Sequence, residues 1–292
     1  MTGRRARAAR ARAAAPSITA TVRLEFGRRL RAWYRRNARD LPWRRTDDPY
    51  HILVSELMLQ QTQVVRVVPK YGEFLGQFPT LESVAAASPT QVMEAWTGLG
   101  YYARAHNLHR LARTLTTAAP RADSTTDAPA RGPATLPSDP LALRALPGIG
   151  AYTAGAVASF GYHRAAALVD TNVARVLTRA FAPRLDPRSS RGRRAAWAIA
   201  EATLPRSGSV ASTQNQALME LGALVCTARV AHCAQCPVQR VCRTASGRPA
   251  GGGAMVPKRT PTRRPTVQRL RVAVSQRAGS YRPPTPPVST RV

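Results

Sequence analysis

The fold is most strongly indicated by the stretch LPGIGAYTAGAVASF, Leu146–Phe160. A short turn that contains Gly148 and Gly150 lies directly ahead of a mainly apolar segment. Glycine permits a sharp turn where a Cβ atom would clash, so the pattern predicts two helices joined by a hairpin. The amide groups at the start of the second helix would then form a phosphate site that reads no base sequence. An ordinary connection between two helices is the alternative that these residues leave open.

Helical periodicity extends in both directions from this hairpin. Apolar residues recur three or four positions apart from Val22 to Trp33 and again from Leu108 to Leu115. No stretch alternates apolar and polar residues for long enough to indicate a sheet. We therefore predict an all-α protein. The predicted helices are one from about Ile18, one over 52–65, one capped by Thr80 and ending at Ala95, one from Ala103, a short one capped by Ser138 or Asp139, and those over 152–160, 172–181, 190–204 and 212–225.

The charge of the chain points to a polyanionic partner. There are 44 Lys and Arg residues against 15 Asp and Glu, which gives a formal net charge of +29. Part of this excess lies at the two ends, because residues 1–15 hold five Arg and residues 244–292 hold ten basic residues, both without an acid. Between Pro16 and Arg243 there remain 29 basic and 15 acidic residues. Nucleic acid is the partner that such a surplus most often neutralises.

The sequence argues against two classes of protein, those that span a membrane and those that are secreted. No run of about eighteen apolar residues exists, so we expect no membrane span. The Arg-rich start has no apolar core behind it, and it therefore does not resemble a secretory signal. We expect a cytoplasmic protein associated with the nucleoid.

Four cysteines, all those in the chain, fall within seventeen residues near the end of the helical part. Four thiolates so close together can saturate one inorganic centre, either zinc or an iron–sulfur cluster. Two disulfides are the third interpretation, and it is disfavoured because the chain lacks the character of a secreted disulfide-rich domain. The spacing alone leaves zinc and a cluster open. The cysteines are Cys226, Cys233, Cys236 and Cys242.

Five motifs in order resemble the endonuclease III superfamily of DNA glycosylases, and in particular its MutY-type adenine glycosylase branch. The similarity runs from about residue 20 to residue 243. In that family four cysteines hold a [4Fe–4S] cluster, which the resemblance assigns here to Cys226, Cys233, Cys236 and Cys242. The motifs are LPWR (41–44), SELMLQQTQ (55–63), WTGLGYYAR (96–104), LPGIG (146–150) with VDTNVARVL (169–177), and the four cysteines.

The resemblance implies a catalytic pair of carboxyl groups. Glu56 lies in an apolar helix, where loss of hydration is expected to raise its pKa and keep it protonated as a general acid. Asp170 begins a helix, and we expect it to stay ionised, although a plain N-cap is the alternative interpretation. By resemblance, Glu56 protonates adenine at N7 and Asp170 stabilises or captures the sugar cation. Tyr152 and Asn172 resemble the residues that support them.

The resemblance also implies how the chain would contact DNA. Gln60 and Tyr101 resemble residues that wedge into the duplex when the target base is extruded, with Gln61 and Thr62 beside them. Gly148 and Gly150 would bring the hairpin amides to the phosphates. The implied substrate is double-stranded DNA with adenine opposite 8-oxoguanine or guanine, bound by a monomer.

Position 152 separates two reaction types within the superfamily. Members that also cleave the strand have a lysine there, which attacks the sugar as a Schiff base. The residue here is Tyr152, and the only two lysines, Lys70 and Lys258, lie outside every motif. A monofunctional glycosylase is therefore predicted. The alternatives are a bifunctional glycosylase and lyase for oxidised pyrimidines, and a non-catalytic iron–sulfur DNA-binding protein.

The expected layout is a two-lobed molecule with basic ends. Typical relatives have a further C-terminal domain that recognises 8-oxoguanine, and the residues after Cys242 show no pattern of that kind, which leaves lesion discrimination open. The predicted parts are a disordered basic arm (1–17), an N-terminal helix of the cluster lobe (18–44), a six-helix barrel (45–163) that includes the hairpin (141–160) and a flexible insertion (119–140), the cluster lobe (164–243), and a disordered basic tail (244–292).

Overall fold

The computed structural model describes residues 18–118 and 134–247. The predicted basic arm, most of the predicted insertion and nearly all of the predicted tail lie outside these ranges. Within them the chain is helical and has no strand beyond an isolated bridge between Cys226 and Ala231. The all-α prediction is confirmed. The α-helices are α1 (Ala20–Asn37), α2 (Pro49–Leu59), α3 (Val64–Gln77), α4 (Leu81–Ala86), α5 (Pro89–Ala95), α6 (Ala103–Ala118), α7 (Pro140–Arg144), α8 (Ala151–Phe160), α9 (Thr171–Phe181), α10 (Ser190–Thr203), α11 (Gly208–Leu224) and α12 (Arg243–Ser246).

Two of the predicted helices are each split in two. The segment 52–65 breaks after Leu59 because Gln61 adopts a left-handed backbone with φ +57°, which cannot continue a helix. The segment from Thr80 to Ala95 breaks because Ser88 accepts a hydrogen bond from the Gln91 amide and Pro89 begins a new helix. Apolar periodicity continues across both breaks, which is why it concealed them. Asp139, one of the two predicted caps, does cap α7 by accepting from the amides of Leu141 and Ala142.

Helix α8 lies at the centre of the packing that forms the site. It contacts α2 on one side and α11 on another, and α11 in turn contacts α9 and α1. Eight consecutive residues of α8, from Thr153 to Phe160, are buried. Gly155 permits the closest approach, because a Cβ atom there would lie 2.3 Å from the Ala167 carbonyl oxygen. The central helix thereby brings residues of α2 and the start of α9 to one place.

The described residues form one unit by their internal contacts, which gives no boundary between the two predicted lobes. The boundaries at residues 45, 163 and 243 therefore stay predictions. The start of the predicted tail differs slightly, since Thr244–Ser246 belong to α12. In the part of the chain that the structure describes, no helix has the length and apolar content of a membrane span.

Candidate active site and cysteine cavity

Glu56 is a buried carboxyl group in the middle of an apolar helix. Its side chain lies on α2 among Leu53, Leu57 and other buried residues, and the residue is only 4% exposed. The pKa of Glu56 is raised to about 7, mainly by burial and also by the nearby carboxylate of Asp170, whereas Tyr152 and Arg44 oppose the rise. The expected increase in pKa is confirmed. A carboxyl group with a pKa near neutrality is suited to donate a proton at physiological pH.

Asp170 is held at the N-terminus of α9 by a set of hydrogen-bond donors. Its Oδ1 accepts from the Val173 amide at 2.6 Å, and its Oδ2 accepts from Nδ2 of Asn172 at 3.2 Å. Burial raises the pKa of Asp170 above its ordinary value, while these bonds and the charge of Arg175 act in the opposite direction. The expectation from the sequence rested on the helix terminus alone and left out this burial. The donors around the carboxylate nevertheless all stabilise its ionised form.

Tyr152 joins the two carboxyl groups into one site. It is the second residue of α8, and its hydroxyl lies 3.8 Å from Sδ of Met219. Burial raises the pKa of Tyr152 well above its usual range, and the charges of both Glu56 and Asp170 raise it further. The phenol therefore stays protonated and can donate to the Glu56 carboxyl. The structure thus brings together Glu56, Tyr152, Asp170 and Asn172, as the sequence predicted.

A chain of hydrogen bonds continues from Asp170 to the cysteine segment. Asn172, which donates to Asp170, accepts from Nη2 of Arg175 at 2.6 Å. Arg175 also donates from Nε to the Cys226 carbonyl oxygen at 2.8 Å. Gly222 allows α11 to approach Asn172, because a Cβ atom there would lie 2.7 Å from the Asn172 Cβ. Arg175 was not identified from the sequence, although its position one turn after Asn172 on α9 is the signal that could have found it.

A buried carboxylate that binds two arginines near Glu56 was also not identified from the sequence. Glu220 of α11 is fully buried, and its carboxylate accepts from Arg39 at 2.8 and 2.9 Å and from Arg44 at 2.7 Å. Burial acts to raise the pKa of Glu220, but the hydrogen bonds from Arg39 and Arg44 lower it to about 2. Arg44 belongs to the LPWR motif and also lowers the pKa of Glu56. Glu220 therefore holds the cation of Arg44 in a fixed position near Glu56, the candidate general acid.

The hairpin between α7 and α8 has the predicted form, but its two glycines differ. Gly148 has φ +77°, and a Cβ atom there would lie 2.6 Å from the Cβ of Asn107. Gly150 has an ordinary φ of −86°, and a Cβ atom there would meet no atom within 4 Å. The prediction that both glycines relieve a clash within the chain is therefore wrong for Gly150. Its exposed Cα faces open space at the N-terminus of α8, where a ligand backbone would have room to approach.

The residues predicted to wedge into DNA come from two neighbouring loops. Tyr101 is 58% exposed, which excludes the interpretation as a core residue. Gln61 is exposed, whereas the amide of Gln60 turns inwards and lies 3.5 Å from Oγ1 of Thr153. Thr62 connects the loops, since its hydroxyl donates to the Leu99 carbonyl oxygen at 3.2 Å. On the first loop, Gln61 is therefore the side chain better placed to meet a ligand.

The four cysteines line one cavity at the end of the helical part. All four are free thiols, and the cavity is also lined by Arg179, Val225 and His232. The pKa of Cys236 is raised to about 12, mainly by burial and in smaller part by the neighbouring cysteines. Nη1 of Arg179 lies 3.3 Å from Sγ of Cys226 and provides a positive charge at the wall. Among the described residues, no three His, Cys, Asp or Glu side chains converge on a point that could hold a single metal ion.

Comparisons with known proteins agree with this geometry. A family model described as "HhH-GPD superfamily base excision DNA repair protein" matches residues 54–202, which include Glu56, Tyr152 and Asp170. The adenine DNA glycosylase of Mycolicibacterium smegmatis is 44% identical over 76% of this chain and 70% of its own length. The human adenine DNA glycosylase is 40% identical over 73% of this chain, which corresponds to only 38% of the human protein.

Solved structures give the same fold. A thermostable thymine-DNA glycosylase superposes with a TM-score of 0.66 at 27% identity, covering 77% of this chain and 97% of the other. A trapped covalent intermediate of endonuclease III with DNA superposes with a TM-score of 0.62 at 19% identity, covering 79% of this chain and 98% of the other. At that identity the second likeness concerns the fold alone.

Proposed function

The chain belongs to the HhH-GPD superfamily of base excision DNA repair proteins, and on this basis we propose that it is a monofunctional adenine DNA glycosylase. Its substrate would be double-stranded DNA in which adenine is mispaired with 8-oxoguanine or guanine. The observation that carries the proposal is the meeting of Glu56 and Asp170 at Tyr152, with a proton available on Glu56 near neutral pH. The relatives named adenine DNA glycosylase support the choice of base.

The reaction divides between the two carboxyl groups. Glu56 donates its proton to N7 of the extruded adenine, which neutralises the departing base while the bond between C1′ and N9 breaks. Asp170 stabilises the positive charge that develops on the sugar or bonds to its C1′. Water then adds to C1′ and gives up a proton to the Glu56 carboxylate, and where Asp170 has bonded to C1′ that bond breaks and Asp170 leaves as the carboxylate. The step restores both acids and leaves an abasic site. Tyr152 and Asn172 orient Glu56 and Asp170 and do not change charge.

Strand cleavage is disfavoured by the residues around this site. A Schiff-base lyase needs a lysine amine at the sugar, and position 152 holds a phenol. Lys70 is engaged with Glu73 at 2.6 Å on α3, and Lys258 lies outside the described residues. Borohydride should therefore trap no covalent adduct between the enzyme and DNA during turnover. A trapped adduct would favour the bifunctional alternative, whereas the non-catalytic alternative gives no role to Glu56 and Asp170.

We propose that Cys226, Cys233, Cys236 and Cys242 hold a [4Fe–4S] cluster. The four thiols line one cavity, and the family to which the chain belongs supports a cluster in that place. Such a cluster supplies a rigid inorganic support with redox capacity. Purified protein should show the iron–sulfur charge-transfer absorbance and contain iron and sulfide, and Cys236→Ser should lose both. Zinc in place of iron would refute this assignment.

DNA binding would use the two loops and the hairpin. Gln60, Gln61, Thr62 and Tyr101 would contact the bases near the extruded adenine, and Gly148 and Gly150 would bring the α8 amides to a phosphate. The excess of basic residues between Pro16 and Arg243 supports a negatively charged partner such as DNA. We infer a monomer that acts in the cytoplasm on nucleoid DNA, since one copy of the chain holds all residues of the site.

The test is a single-turnover panel of duplexes. Adenine opposite 8-oxoguanine and opposite guanine should be released, while adenine opposite thymine, thymine opposite guanine and thymine glycol should be retained. The thymine duplexes are included because a thymine-DNA glycosylase shares the fold. Release of thymine or thymine glycol in preference to adenine would overturn the proposed function.

A further inference from the structure

Arg104 is a buried cation that the proposed reaction does not use. It lies in the first turn of α6, and only 7% of its surface is exposed. A buried guanidinium is costly unless each of its donors is bonded, and it is usually paired with a carboxylate. The polar partners of Arg104 in the described part of the chain are instead oxygen atoms without charge. They are the carbonyl oxygens of Leu57, Met58, Gln60, Leu99, Gly100 and Tyr101 and the hydroxyl of Thr62.

One group of these partners belongs to the end of α2. Nη1 of Arg104 donates to the carbonyl oxygens of Leu57, Met58 and Gln60 at 2.7, 2.8 and 2.6 Å. The last carbonyl groups of a helix have no partner within the helix, and a positive charge there is favoured by the helix dipole. Arg104 therefore ends α2 just before Gln61, the residue with φ +57°.

The other group belongs to the loop that carries Tyr101. Nη2 of Arg104 donates to the Leu99 and Gly100 carbonyl oxygens at 3.1 and 2.8 Å. Gly98, Gly100 and Tyr101 have φ of +93°, +68° and +48°, so this loop is held in a backbone conformation that a side chain such as Tyr disfavours. The same guanidinium thus holds two segments that each contain a left-handed residue other than glycine.

Arg104 also supports the ring of Tyr101 directly. The guanidinium carbon lies 5.5 Å from the centroid of the Tyr101 ring and 5.6 Å from that of the buried Trp96 ring. Tyr101 nevertheless remains 58% exposed. The Tyr101 ring therefore contacts the guanidinium and is still accessible to solvent, as a side chain that enters another molecule must be.

We propose that Arg104 is a positioning residue that holds the loops 59–62 and 98–101 in one fixed arrangement, so that Gln61 and Tyr101 enter the duplex together. The inference rests on the proposed function, and it concerns extrusion of the base and not the bond-breaking step. Arg104 itself does not contact DNA. Because both loops are already ordered before DNA binds, the entropic cost of ordering them does not oppose extrusion of the base.

The test compares Arg104→Lys with Arg110→Lys, an exposed arginine on the same helix. Lysine has one ammonium group and lacks the planar guanidinium whose Nη1 and Nη2 atoms donate to the two loops. Two signals are measured on a duplex with adenine opposite 8-oxoguanine: the fluorescence of a 2-aminopurine next to the adenine, which rises when the stack opens, and the single-turnover release of adenine. The fluorescence rise and the release of adenine should both slow about 10-fold or more in Arg104→Lys, while the pH profile of the rate and the dissociation constant for undamaged duplex stay those of the parent.

Thr62→Val is the second variant, because it removes one contact of Arg104 and one contact between the loops with little change of shape. It should slow the fluorescence rise about threefold while the dissociation constant for undamaged duplex stays that of the parent, and this combination tests the inference if Arg104→Lys does not fold. Parent-like fluorescence kinetics in the folded variants, or slower release with a normal fluorescence rise, would overturn the inference. If the parent protein shows the rise but releases no adenine, the proposed function fails, and the comparison of the rises still tests Arg104.

Discussion

The carboxyl groups of Glu56 and Asp170 belong to different helices, yet each raises the pKa of the same phenol, Tyr152. Asp170 also raises the pKa of Glu56, so the two acids share one site and their protonation is coupled. Asp170 is surrounded by donors that stabilise its charge, whereas Glu56 is surrounded mainly by apolar residues of α2. This difference in environment separates an acid that retains a proton from one that loses it.

Replacing Asp170 should remove the charge that stabilises the sugar cation. Asp170→Asn keeps a side chain that can cap α9, so folding should be preserved. The single-turnover rate of adenine release should fall about 10²- to 10³-fold, the usual effect of deleting one electrostatic contribution to a transition state. Asp48→Asn is the matched control, because Asp48 is an exposed N-cap of α2. A parent-like rate in Asp170→Asn would contradict the mechanism.

The rate of adenine release should depend on pH through Glu56. The acid must be protonated, and its pKa is about 7, so the rate should decline as the pH rises through 7. Single-turnover rates between about pH 5 and pH 9 measure this limb. Glu56→Gln should lower the rate about 10²- to 10⁴-fold and abolish the decline. A declining limb that persists in Glu56→Gln would assign it to another group.

The same residue should make the fold less stable at alkaline pH. In the unfolded chain Glu56 titrates near its ordinary pKa of 4.5, and in the fold its pKa is about 7. The native state thus binds more protons between these values, so stability falls as the pH rises through that window. Glu56→Gln removes the effect. Its free energy of unfolding should match that of the parent at about pH 4 and exceed it by up to about 3 kcal/mol above pH 7. Urea titrations at both pH values measure the difference, and equal stabilities above pH 7 would show that burial does not raise this pKa.

Glu220 should be essential for stability. Removal of its carboxylate leaves the cations of Arg39 and Arg44 without their partner, so Glu220→Ala should lower the free energy of unfolding by about 3 to 5 kcal/mol. Glu73→Ala serves as control, because its pair with Lys70 lies at the surface and should contribute at most about 1 kcal/mol. Urea unfolding at neutral pH compares the two variants. Similar losses of unfolding free energy in both variants would contradict the predicted contribution of the buried Glu220 carboxylate.

Prediction from sequence succeeded where the signal is local. The hairpin at Leu146–Gly150, the apolar setting of Glu56 and the position of Asp170 at a helix start are each carried by a few consecutive residues. Helix ends were harder, because the breaks at Gln61 and at Ser88 lie within continuous apolar periodicity. The need for Gly150 was misjudged for a related reason, since a glycine pattern does not reveal which position lacks room for a Cβ atom.

Neighbouring residues are enough to predict that the chain is helical, which family it resembles and which side chains could carry the reaction, because periodicity and motif spacing are local properties. Which charges meet depends on the packing of distant segments and is seen in the fold alone. Glu220 and Arg44 are 176 positions apart, and Arg104 lies more than forty positions from the end of α2 that it holds. Burial sets the pKa of Glu56 and the strength of these contacts, and burial depends on how distant helices pack together.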